Sequence, residues 1–74
     1  SSEGVTILAY DPERVVLHAK VNKPATLVLA DAFYPGWQAT VDGKSAPILR
    51  ANLMFRAVAL DPGTHEVVFA YQPN

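Results

Sequence analysis

Apolar and polar residues alternate in steps of two along much of this chain, the period of a β-strand with one buried face. In Arg14–Val21, the side chains of Val15, Leu17, Ala19 and Val21 fall on one face, and those of Val16, His18 and Lys20 on the other. Trp37, Ala39 and Val41 alternate with Gln38, Thr40 and Asp42, and Val67, Phe69 and Tyr71 with Glu66, Val68 and Ala70. The run from Ala25 to Ala30 is apolar apart from Thr26, which predicts a central strand covered on both faces. Breakers bound each run: Asp11-Pro12, Asn22-Lys23-Pro24, Tyr34-Pro35-Gly36, Asp42-Gly43, Ala51-Asn52 and Asp61-Pro62-Gly63. Seven strands follow: Val5–Tyr10, Arg14–Val21, Ala25–Asp31, Trp37–Val41, Lys44–Arg50, Leu53–Leu60 and Thr64–Tyr71. Turn signals every eight to twelve residues or so fit a small, seven-stranded antiparallel β-sandwich, roughly immunoglobulin-like and all-β.

Two turns have a stated geometry. Asp42-Gly43 suits a type I′ hairpin turn, where both central residues need positive φ. Pro35-Gly36 suits a type II turn, with proline setting φ and glycine supplying the positive value. A β-branched residue at Gly36 or Gly43 should cost about 1–3 kcal/mol. Pro62-Gly63 joins the sixth strand to the seventh, so the chain from Trp37 onward reads as a four-strand meander.

Length and composition narrow the function. Seventy-four residues make a single domain spanning 1–74, half of them hydrophobic, with a net charge of −1. That balance offers no electrostatic footprint for nucleic acid. There is no cysteine, which excludes a disulfide framework and thiolate metal sites. No stretch reaches the ~20 apolar residues of a membrane helix. The start at Ser1-Ser2-Glu3 lacks a signal peptide and reads as a piece of a longer protein.

Candidate chemistry is sparse. Ser1, Ser2 and Ser45 sit at a terminus or after a hairpin, away from any nucleophile elbow. His18 and His65 lie on separate strands and meet only if those strands are neighbours with matching faces, so no metal site is expected. As surface or sheet-flank residues, both should tolerate alanine. Asp42 and Asp61 are accounted for as turn formers, and no spaced acidic loop accompanies them or Asp31. The aromatic turn from Phe33 to Trp37 has two readings. Phe33 and Trp37 fill the core while Tyr34 caps one end, or Tyr34 and Trp37, rimmed by Arg50 and Asn52, present ring faces to a glycan or another partner.

The segment Phe33-Tyr34-Pro35-Gly36-Trp37-Gln38-Ala39-Thr40-Val41-Asp42-Gly43-Lys44 resembles a family pattern. So do Pro47-Ile48-Leu49-Arg50-Ala51-Asn52, Phe55-Arg56-Ala57-Val58, Pro62-Gly63-Thr64-His65-Glu66-Val67-Val68-Phe69 and Tyr71-Gln72-Pro73. Together, from about Ala25 to Pro73, they resemble the C-terminal region of the YfhO-like bacterial membrane proteins, large polytopic relatives of membrane glycosyltransferases. Thr64 departs from the family run at a variable turn position. The resemblance implies a non-catalytic, cofactor-free β-domain outside the cytoplasmic membrane, with Tyr71-Gln72-Pro73 leading toward a final membrane helix. The catalytic acidic residues of such transferases lie outside this segment. The implied partners are the rest of the parent protein, with a glycan or self-association through an edge strand as alternatives.

Overall fold

The computed structural model describes residues 3–32, 35–51 and 55–72. These form eight strands: β1 Gly4–Asp11, β2 Arg14–Val21, β3 Ala25–Ala32, β4 Trp37–Val41, β5 Lys44–Ala46, β6 Leu49–Ala51, β7 Phe55–Leu60 and β8 Gly63–Tyr71. They build two antiparallel sheets, a five-stranded one in the order β1-β2-β8-β4-β5 and a three-stranded one in the order β3-β7-β6.

The predicted alternation orients the strands. Val15, Leu17 and Ala19 of β2, Trp37 and Ala39 of β4, and Val67 and Phe69 of β8 form one buried cluster with Val58 and Leu60 of β7. The cluster therefore joins the two sheets, with Val21, Leu27, Leu29, Val41, Ile48 and Tyr71 packed around it. Directly paired residues share a face, and the β2–β8 register sets Val15 beside Phe69 and Leu17 beside Val67.

Three expectations are corrected. The predicted strand Lys44–Arg50 is two strands, β5 and β6, and the total is eight rather than seven. Pro47 has no N–H to give a ladder and Ile48 follows it outside any strand, so the chain leaves one sheet there and enters the other. The four-strand meander is absent for the same reason, and because Pro62-Gly63 carries the chain from β7 in one sheet to β8 in the other. The run Ala25–Ala30 is not central: β3 is an edge strand, with Val28 45% exposed. Its inward residues Leu27 and Leu29 reach the core, whereas the outward Thr26 and Val28 have no layer over them.

The Asp42-Gly43 hairpin is as predicted. Val41 pairs with Lys44 across a two-residue loop, with φ of 54° at Asp42 and 82° at Gly43. Gly36 also has the positive φ its turn requires, at 110°.

Candidate functional site

The aromatic turn leads into a stack inside the fold. Trp37, first residue of β4, is only 6% exposed. The Arg56 guanidinium carbon lies 3.7 Å from the centre of its ring and 5.8 Å from that of Phe69. Tyr71 meets Trp37 with ring centroids 5.5 Å apart, tilted by 49°. Arg56 is itself buried, at 5% exposure. A cation over an indole face gains electrostatic attraction from the ring quadrupole, and more once water is excluded.

Main-chain bonds pin this end of the molecule. The Gln72 N–H donates to the Gly36 carbonyl at 2.7 Å, and the Tyr71 N–H to the Glu13 carbonyl at 2.9 Å. The last residues of β8 are thereby fixed against both the aromatic turn and the β1–β2 turn.

Of the four residues expected to form a ligand or partner surface, Trp37 is buried under Arg56 and Arg50 is exposed on β6, in register with Arg56. Tyr34 and Asn52 lie outside the described residues. The structure places Trp37 in the core; Phe33, which the first reading of the turn also put there, lies outside the described residues. Sequence reasoning missed Arg56, although a signal was present. Arg56, Val58 and Leu60 share one strand face, and Val58 and Leu60 are core residues.

A second cluster occupies the opposite ends of β4 and β8. His65 Nδ1 lies 2.7 Å from Asp42 Oδ2, and His65 Nε2 lies 2.7 Å from the Asp61 carbonyl oxygen. The Glu66 N–H donates to Asp42 Oδ1 at 2.9 Å, and the Asp42 N–H to the Glu66 carbonyl at 2.8 Å. A carboxylate and a carbonyl can only accept, so the two contacts are both hydrogen bonds only when the ring is protonated and both its nitrogens donate. The ring ties the β4–β5 hairpin to the β7–β8 connection, which corrects the expectation that His65 tolerates alanine. The histidines do sit on adjacent strands, but His65 is opposite Ala19 and His18 opposite Glu66, which puts them on different faces. Among the described residues no group of three or more His, Cys, Asp or Glu could hold a metal ion.

This bridge has a signed pH dependence. The hydrogen bond to Asp42, then that to the Asp61 carbonyl, hold the His65 pKa above 6.5. The His65 hydrogen bond, then the Glu66 N–H, hold Asp42 below 3.8. A raised histidine contributes stability that is complete below its unfolded pKa and disappears as pH rises through the folded one. A lowered carboxyl contributes stability above its unfolded pKa that is lost as pH falls through the folded value. Stability from the pair therefore peaks between 3.8 and 6.5. His65→Ala should lower the melting temperature most in that window, and the difference from wild type should shrink as pH rises through the raised folded-state pKa of His65. Melts of both proteins across pH check this; a pH-independent difference would contradict the imidazolium bridge.

Fold and site together define a small all-β domain in which the Trp37–Arg56–Tyr71 stack and the Asp42–His65 bridge lie at opposite ends of β4 and β8. A family model described as bacterial membrane protein YfhO matches residues 1–74, and the chain belongs to that family. The match covers the whole chain, more than the Ala25–Pro73 span that carries the motifs. No curated protein and no solved structure matches it. Among the described residues no helix is long and apolar enough to cross a membrane.

Proposed function

We propose that this domain is a non-catalytic accessory module, an immunoglobulin-like sandwich, on the extracytoplasmic face of a bacterial membrane protein that resembles cell-envelope glycosyltransferases. The observation that supports it best is the burial of Trp37. Trp37, the residue best suited to hold a sugar ring, lies under Arg56 and against Tyr71. Its role is to anchor the start of β4 against β7 and β8. The family match gives the membrane-protein setting, and the partner is the rest of that protein.

Two measurements test the reading. The 74-residue chain, mixed with lipid-linked sugar donors and acceptors, should show no glycosyl transfer; turnover would refute a non-catalytic role. For sidedness, Ser45 is exposed beside the Asp42-Gly43 turn and the chain has no cysteine. Ser45→Cys placed in the full membrane protein should react with a membrane-impermeant maleimide on intact cells. Labelling only after lysis would put the domain on the cytoplasmic side.

The alternative, a carbohydrate-binding module using Tyr34, Trp37, Arg50 and Asn52, needs an open ring face. Emission of the single tryptophan should be blue-shifted, weakly quenched by acrylamide and unmoved by glycans. A glycan-dependent shift would favour the binding module instead.

A further inference from the structure

Asp42 is followed by glycine, and no other Asp or Asn in the chain is. A glycine nitrogen has no side chain beside it to hinder its attack on the preceding carboxyl. The turn adds no cover of its own: nothing beyond the chain neighbours lies within 4 Å of a Cβ placed on Gly43. The Asp42 side chain is 50% exposed. By sequence and by exposure, this dipeptide is open to rearrangement of its backbone.

The rearrangement needs only water. The Gly43 nitrogen attacks Asp42 Cγ, forming an N–Cγ bond, and the carboxyl hydroxyl leaves with the amide proton as water. Water then opens the resulting five-membered succinimide at one of its two carbonyls. Opening at Cγ restores aspartate. Opening at the main-chain carbonyl leaves the backbone running through Cβ, an isoaspartate. Nothing is oxidised or reduced, and one water leaves for each that enters.

Ring closure has two requirements, and the bridge opposes both. Cγ must swing toward the Gly43 nitrogen, yet Oδ2 lies 2.7 Å from His65 Nδ1 and Oδ1 accepts the Glu66 N–H at 2.9 Å. Both oxygens are thus tied to β8, and the His65 ring is itself tied to the Asp61 carbonyl at 2.7 Å. The carboxyl must also be protonated for its hydroxyl to leave. The same two bonds, with the positive charges of His65 and Lys44, keep it ionised.

We propose that Asp42-Gly43 is a latent isomerisation site of this domain and that His65 is the residue that keeps it closed. An isoaspartate adds one carbon to a two-residue loop, which breaks the Val41–Lys44 pairing. It also shortens the side chain by one carbon, drawing the carboxylate away from His65. Asp42 is the one non-glycine among the described residues with positive φ, so the turn depends on its ordinary linkage. Opening of the bridge, reversible at first, becomes permanent once the backbone has rearranged.

The 74-residue chain is incubated at about pH 5, where the ring is charged and a free aspartate is still partly protonated. A peptide of residues 38–48 is the unrestrained reference. Isoaspartate is counted by methyl transfer from an isoaspartyl methyltransferase and placed by peptide mass spectrometry. Wild type should isomerise at least ~10-fold more slowly than the peptide, because only the opened fraction reacts. His65→Ala should come within ~3-fold of the peptide. Val15→Ala separates guarding from general loss of stability. It removes core volume beside Phe69, four residues along β8 from His65, and leaves the bridge in place. Circular dichroism first establishes a temperature at which both variants are folded, and there Val15→Ala should stay at least ~3-fold slower than His65→Ala. Wild type as fast as the peptide, His65→Ala as slow as wild type, or Val15→Ala as fast as His65→Ala would overturn the proposal.

Discussion

Gly36→Val should lower the melting temperature by roughly 15 °C or more, the largest effect of any glycine substitution in the chain. Two costs coincide there. The backbone φ of 110° is one that L side chains avoid, worth about 1–3 kcal/mol of strain. A Cβ would also stand 2.5 Å from Tyr71 Cε1 and 3.1 Å from Cδ1. The ring cannot simply step aside, because it packs on Trp37 and its backbone is bonded to Glu13 while Gln72 is bonded to Gly36. The substitution therefore pushes Tyr71 off Trp37 or opens the turn, for a total of about 3–4 kcal/mol. Gly43 is the internal control. Its φ is 82° but nothing lies within 4 Å of an added Cβ, so Gly43→Val should cost the strain alone. Thermal melts decide it, and a Gly43 variant as unstable as the Gly36 one would show that Tyr71 yields freely.

Arg56→Ala should cost about 2–4 kcal/mol, through the lost packing of a buried stem and the lost cation over Trp37. Tryptophan emission should move to the red as water reaches the indole. Arg56→Met separates the two contributions. It keeps much of the volume but removes the charge, and replacing a buried charge with a well-packed apolar side chain is often close to neutral. Most of the stability and the blue-shifted emission should return with methionine. If methionine proves as harmful as alanine, the guanidinium itself holds Trp37 and packing is secondary. Chemical denaturation followed at the single tryptophan measures both.

Strand alternation was legible because a period of two needs only local sequence. β2, β4 and β8 place the predicted residues in the core, and the Asp42-Gly43 turn has the expected φ values. Strand order was not legible. An apolar run such as Ala25–Ala30 has the same composition whether neighbours flank it on two sides or one, and here β7 takes the middle of the small sheet. Pro47 was a breaker in plain view, but only its position between two sheets makes it a crossing point. Arg56 was readable by face and overlooked as a charge. The Asp42–His65 bridge joins residues 23 apart, and no local pattern encodes such a distance.

The sequence by itself determined the all-β character, the strand faces, the positive-φ turns and the family. Those follow from side-chain periodicity, from the backbone limits of proline and glycine, and from a joint motif pattern. Only the tertiary structure decided that β3 lies at an edge, that Arg56 covers Trp37, and that His65 bridges two turns. Each of these depends on which strands end up as neighbours. That choice is set by the combined burial of all the strands across two sheets, a quantity no single stretch of sequence contains.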